Sequence, residues 1–120
     1  MIIATALGLL AATSMQVARF GPYENVVVER IDNLPAISAY GDAHVVRLHG
    51  SDAEVVSCIR GIRSGKATDC EFPHSGSIEF RPLQSGYRFT FTDAPKVNVV
   101  DFVVDAAGLE RALGALASLR

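Results

Sequence analysis

The chain has 120 residues, of which 49% are hydrophobic and 20% charged, and these fractions exclude an intrinsically disordered protein. This length fits one domain and is too short for two separate hydrophobic cores. The net charge is −2 and no run of basic residues is present, which argues against a nucleic-acid partner.

Residues 1–18 are uncharged and contain an apolar run typical of the hydrophobic region of a signal peptide. The small side chains of Ala12 and Ser14 would permit cleavage after Ser14, although no Lys or Arg precedes Ile2. A helix packed within the fold and an uncleaved membrane anchor are the alternatives. The sequence therefore predicts a leader over 1–18, a single α+β domain over 19–120, and a periplasmic or secreted protein whose only membrane contact would be an uncleaved leader.

Two strands are predicted after a short linker over 19–23. Residues 24–31 are rich in β-branched side chains, which favour strands. The second strand is predicted over residues 36–40, with a break at the Gly-Asp pair that follows, and resumes over 43–49.

The clearest local signal is a capping box formed by Ser51 and Glu54, which predicts a helix that begins at Asp52. Gly65 is a natural place for this helix to stop. Apolar residues recur at the spacing of one buried helical face, at Val55, Cys58, Ile59 and Ile62.

The second half is predicted to contain a loop over 64–77, three strands and a helix. Apolar and polar residues alternate over 78–81 and again over 87–92, which indicates two half-buried strands. The run 97–104 is apolar at nearly every position and is predicted to be the most central strand. A leucine stripe predicts a final helix over 106–119, with Asp105 as its N-cap.

This element order, β-β-α-β-β-β-α, predicts an α+β fold: a largely antiparallel sheet of about five strands with two helices packed on one face. Consecutive strands favour antiparallel pairing because short turns can connect them. The sequence shows no internal repeat.

Two cysteines, Cys58 and Cys70, are predicted to form a disulfide in an oxidising compartment. Two unpaired thiols are one alternative. Another is a zinc site that would add His49 and His74, but its ligand spacing matches no zinc-binding pattern. No metal or other cofactor is predicted.

The most distinctive surface stretch is the predicted loop over 69–77. Its Cys70, Pro73 and His74 resemble the cysteine-tethered loop with a Pro-His pair that Ivy-type periplasmic lysozyme inhibitors insert into an enzyme cleft. The match covers these residues only and lacks a second closing cysteine. The residues predicted to bind a partner are Asp69, Glu71, Phe72, Pro73, His74 and Ser75.

No serine-nucleophile elbow or phosphate-binding loop is present, and no catalytic residue is predicted. The sequence therefore predicts a small exported, non-catalytic binding module that engages an unidentified protein, for example as an inhibitor. One alternative is a small hydrolase or metal-dependent enzyme that uses His49, His74 and Asp101. The other is a self-associating structural subunit, such as a homodimer.

Overall fold

The computed structural model describes residues 14–119, and the chain begins there with a four-stranded antiparallel sheet. Its strands lie side by side in chain order. They are β1 (Ser14–Phe20), β2 (Val26–Ile31), β3 (Leu34–Tyr40) and β4 (Val45–His49).

A helix and a second four-stranded antiparallel sheet follow. The helix α1 (Asp52–Arg63) begins at the predicted capping box, in which Ser51 and Glu54 satisfy each other's backbone N–H groups. The strands of the second sheet also lie in chain order. They are β5 (Thr68–Phe72), β6 (Gly76–Leu83), β7 (Gly86–Asp93) and β8 (Val99–Val104).

The last element of the described residues is the helix α2 (Ala106–Ala117), which is capped by the side chain of Asp105 as predicted. Residues 14–63 and residues 68–117 therefore share one architecture, in which a four-stranded antiparallel meander is followed by a 12-residue helix. The sequence shows no repeat, but the topology has one. A strand or a helix requires only the right spacing of apolar residues, so two segments can share a topology without sharing a sequence.

The two sheets face each other across one hydrophobic core. Phe20 at the end of β1 contacts three rings of the second sheet, with ring centroids 5.9 Å from Phe89 and 6.4 Å from both Phe91 and Phe102. Phe89 also lies 5.4 Å from Phe80. These aromatic contacts between the inner faces hold the two halves together.

Each helix makes most of its strand contacts with the sheet of the other half. Helix α1 lies against β5 and is bonded to it by the disulfide between Cys58 and Cys70, as predicted, while α2 lies against β1. Arg30 of β2 links the first residue of α1 to the segment that follows α2, because its guanidinium donates to the Asp52 carboxylate at 2.9 Å and to the backbone carbonyl of Leu119. The halves therefore interlock instead of forming separate units.

The structure bears out the α+β class but corrects the predicted sheet. There are two sheets of four strands among the described residues, where one sheet of about five was predicted. The predicted second strand, with its break at Gly41 and Asp42, is a hairpin of two strands, β3 and β4, whose chain reverses at that break. The predicted loop 64–77 contains β5, whose buried and exposed residues alternate. The turn-favouring residues around this short strand led to the prediction of a loop.

The strand predicted to be the most central, 97–104, also differs. It starts at Val99 and lies at the edge of the second sheet, paired only with β7 in the described part of the chain. Its outer face is open, since Val99 and Val103 are 45% and 44% exposed. The apolar run reflects one buried face and one exposed face on which Asp101 lies between two valines.

The folded domain begins earlier than residue 19. Strand β1 starts at Ser14, and Phe20, which falls in the predicted linker, is 1% exposed in the core. The rest of the predicted leader, residues 1–13, lies outside the described residues, so its cleavage stays a prediction. No helix in the range 14–119 has the length and apolar character needed to cross a membrane.

The turn between β7 and β8 is organised by Asp93, and this predicts a pH dependence. Burial raises the pKa of its carboxyl, but hydrogen bonds from the side chain and backbone of Asn98 and the backbone of Val97 and Lys96 outweigh burial and hold the pKa below the ordinary 3.8. The hydrogen bonds to the Asp93 carboxylate therefore stabilise the folded protein fully above pH 3.8. This contribution is lost as the pH falls through the lower pKa of the folded state.

We expect Asp93→Ala to be less stable than the wild type at pH 7, with the difference shrinking as the pH falls below about 4. Urea unfolding of both proteins at several pH values between 3 and 7 measures this difference in the free energy of unfolding. A difference that stays constant down to pH 3 would contradict this role for the carboxylate.

Candidate functional site

The predicted binding loop is a tight hairpin. Strands β5 and β6 are joined by Pro73, His74 and Ser75, which we call the hairpin tip. Pro73 and His74 are exposed, and His74 has the left-handed backbone angle φ of 73°. The tip therefore presents two side chains on a narrow turn, where a long loop was predicted.

The tip is fastened to both neighbouring segments through Ser75. Its hydroxyl oxygen accepts a hydrogen bond from the backbone N–H of His49 at 3.0 Å, and its carbonyl accepts one from Ala94 at 2.7 Å. Gly76, which follows, has φ of 147°, and a β-carbon there would lie 2.0 Å from the Thr92 carbonyl oxygen. These contacts hold the tip in place. They also use the hydroxyl and carbonyl groups of Ser75, which therefore has a structural role.

The other predicted binding residues do not form one surface with the tip. Phe72 is 2% exposed and belongs to the core, so it is not available to a partner in the folded protein. Asp69 and Glu71 lie on the outer face of the second sheet. Asp69 pairs there with Arg81, with 2.7 Å between the carboxylate and the guanidinium.

The three residues of the enzyme alternative are only partly brought together. His49 and His74 line one depression of about 390 Å³ beside Glu54, whose carboxylate caps α1. Asp101 lies elsewhere on β8, and since β7 separates β8 from β6, the strand spacing of about 4.8 Å places it about 10 Å or more from the tip. Such a separation does not allow a shared proton transfer.

The zinc alternative is not supported by the described residues. Both cysteines are joined in the disulfide, and within residues 14–119 no three His, Cys, Asp or Glu side chains are grouped as metal ligands.

A larger concave site lies between the two sheets, and we call it the tyrosine cleft. Its volume is about 570 Å³. One wall is β8, and the other is formed by the β1–β2 and β3–β4 turns of the first sheet. The lining residues are Pro22, Tyr23, Asn25, Tyr40, Gly41, Asp42, His44, Val99, Val100, Asp101 and Phe102.

Two tyrosines with exposed side chains line this cleft. Tyr23 is 89% exposed and Tyr40 is 43% exposed. Asn25 holds their two segments together, because its side-chain amide donates to the Tyr40 carbonyl at 3.1 Å and its backbone carbonyl accepts from the Tyr40 N–H at 2.9 Å. The two aromatic rings are therefore carried by turns that these hydrogen bonds hold together.

The Asn25 side chain also explains the glycine at position 21. Its Oδ1 is buried and has no hydrogen-bond partner among the described residues. A β-carbon on Gly21 would lie 2.3 Å from this oxygen, and Gly21 has φ of 102°. The turn that carries Tyr23 therefore requires glycine at this position.

His44 lines the cleft and contacts the opposite wall. Its Nε2 lies 2.7 Å from the Val99 carbonyl oxygen, so Nε2 carries the proton and donates this hydrogen bond. The bond ties the β3–β4 turn of the first sheet to the first residue of β8. The two walls of the cleft are thus held in a fixed relation.

The sequence did not point to this cleft. Tyr23 falls in the predicted linker and Tyr40 at the end of a predicted strand, and neither belongs to a motif. The cleft combines exposed aromatic rings with two carboxylates, those of Asp42 and Asp101, and the edge of a sheet, which suits a ligand that is apolar in part and basic in part. Comparisons of the chain with protein-family models, curated proteins and solved structures return no match.

Proposed function

We propose that this protein is a non-catalytic binding module that holds part of a protein partner in the tyrosine cleft. The observation that carries the proposal is the exposure of Tyr23, at 89%, beside Tyr40 at the mouth of a concave site. Tyrosine is enriched in binding interfaces because it offers a large rigid apolar face together with a polar tip.

The rigidity of the cleft supports the same function. The Asn25–Tyr40 hydrogen bonds brace one wall, and the His44–Val99 hydrogen bond joins it to the other. A site that is already ordered loses less conformational entropy when a partner binds.

The hairpin tip is a second proposed contact of the same module. Pro73 and His74 are exposed, and the disulfide and Ser75 hold the turn that carries them. An inhibitor that inserts such a turn into an enzyme needs this kind of preorganisation. The tip contributes fewer exposed atoms than the cleft, so we place the main contact at the cleft.

We extend the proposal to an exported protein, in the periplasm or the extracellular medium. The Cys58–Cys70 disulfide is the supporting observation, since such bonds persist in oxidising compartments. An intact-mass measurement after expression in an exporting host would report both cleavage of the leader and the loss of two protons on disulfide formation.

Capture of the partner from an extract of the source organism tests the site, with three variants compared against the wild type. Tyr23→Ala/Tyr40→Ala removes the aromatic contacts of the cleft. Pro73→Ala/His74→Ala alters the tip. Leu83→Ala is the matched control, because Leu83 is also an exposed apolar residue, at 40%, but lies at the β6–β7 turn.

The cleft variant is expected to lose about 30-fold in affinity, the effect of removing an interface hot spot, while the control binds as the wild type does. Unfolding midpoints, measured for all three variants, check that each is folded. Undiminished binding by the cleft variant would contradict the proposal, and a loss confined to the tip variant would place the contact at the tip.

A further inference from the structure

The tyrosine cleft contains an open strand edge. Strand β8 pairs with β7 on one side only, among the described residues, and its other side faces the cleft. The Val99 carbonyl points to the cleft side, since it accepts the His44 hydrogen bond. The direction of backbone groups alternates along a strand, so Asp101 and Val103 also direct their N–H and C=O groups away from β7.

Backbone groups at a strand edge are best satisfied by another extended backbone. His44 occupies the first position of this edge and leaves the positions from Asp101 onward available. The cleft, at about 570 Å³, has room for a short segment of extended chain between β8 and the turns of the first sheet. The shape and the hydrogen-bonding groups therefore fit a peptide strand.

The side chains along this edge indicate the sequence of such a strand. Val99, Asp101 and Val103 are exposed on the same face of β8. Directly opposed residues in antiparallel strands favour apolar–apolar and opposite-charge pairs. Neither Asp101 nor the nearby Asp42 forms an ion pair with a described residue. The edge therefore matches a strand with a basic residue opposite Asp101 and apolar residues two positions before and two positions after it.

A second copy of this chain is a poorer occupant of the edge. If two copies of β8 paired antiparallel about Asp101, the two carboxylates would face each other, and like charges directly opposed are destabilising. The same charge protects the free protein from edge-to-edge association.

We propose that the cleft binds an extended peptide segment of a partner protein, which adds to β8 as a fifth strand and places a basic residue opposite Asp101. This inference rests on the proposed function and specifies the partner for the same site. The tyrosines at the cleft mouth offer their faces to the apolar and basic side chains of the added strand.

The probe is a blocked pentapeptide, Val-Thr-Arg-Thr-Ile, which places Arg opposite Asp101 and apolar residues opposite Val99 and Val103, titrated into the ¹⁵N-labelled protein and followed by NMR. Two control peptides accompany it. One has Glu in place of Arg, and the other carries N-methyl groups on the backbone amides that would bond to β8. The protein variant Asp101→Lys, changed at an exposed side chain, is titrated with the Arg and Glu peptides.

We expect saturable binding of the Arg peptide, with the largest shifts at the amides of Asp101 and Val103. The Glu peptide should bind about tenfold more weakly, and so should the N-methylated peptide. Asp101→Lys should reverse the preference between Arg and Glu, which a merely structural role for Asp101 would not produce.

Absence of saturable binding by the Arg peptide would overturn the inference, and so would equal binding of the N-methylated peptide. Dimerisation through β8, detected by sedimentation and by shifts in the peptide-free protein, would assign the edge to a second copy and overturn it as well. If the peptide fails but the Tyr23→Ala/Tyr40→Ala variant still loses the partner, strand addition is wrong and the proposed function stands.

Discussion

Replacing Phe89 with alanine is expected to lower the free energy of unfolding by about 3–5 kcal/mol, because it leaves a cavity at the centre of the core. Phe89 has no exposed surface. Its ring centroid lies within 6.5 Å of those of Phe20, Phe80, Phe91 and Phe102. It therefore joins the inner faces of both sheets, and its loss affects the contact between the two halves as well as the second sheet.

Urea unfolding followed by circular dichroism measures this effect. The matched control is Tyr23→Ala, which removes a ring that is 89% exposed and should change the stability by no more than about 0.5 kcal/mol. Domains of this size have total stabilities of about 5–15 kcal/mol, so Phe89→Ala can leave the protein only marginally folded. A loss below about 1 kcal/mol would show that the halves do not depend on this ring.

Removal of the disulfide is expected to destabilise the protein by about 3 kcal/mol. Cys58 and Cys70 are 12 positions apart, and closing a loop of that length restricts the unfolded chain by about this amount. The bond also joins α1 to β5, the strand that leads to the hairpin tip. A loss of this size corresponds to a fall in Tm of roughly 12–20 °C.

Thermal unfolding of the wild type and of Cys58→Ala/Cys70→Ala, each with and without reductant, measures the contribution. Reductant should lower the Tm of the wild type towards that of the double variant and leave the double variant unchanged. A wild-type Tm that does not respond to reductant, in a protein whose intact mass shows no loss of protons, would mean that the bond does not form.

Local signals in the sequence predicted local structure well. The Ser51–Glu54 capping box and the Asp105 cap located the starts of both helices, because a cap involves only neighbours in the chain. The alternation of apolar and polar residues over 78–81 and 87–92 predicted β6 and β7, because this pattern also involves only neighbours in the chain. The disulfide followed from the presence of two cysteines, and the structure contains it.

Strand β5 was missed, and the two segments on either side of the predicted break at Gly41 and Asp42 were counted as one strand, for a physical reason. The stretch 68–72 carries turn-favouring residues on either side, and its strand conformation is stabilised by pairing with β6 and packing of α1, which a local pattern does not encode. The six predicted binding residues were likewise taken as one loop. In the structure they are divided among the core, the outer sheet face and the tip.

The sequence alone therefore established an α+β chain with two capped helices, half-buried antiparallel strands and a cysteine pair, all of which depend on short-range periodicity and residue chemistry. The tertiary structure established that there are two interlocked sheets and that β8 lies at an edge. It also brought Tyr23, Tyr40 and Asp101 into one cleft. These features depend on which distant segments pair and pack, and long-range pairing leaves no periodic trace in a single sequence.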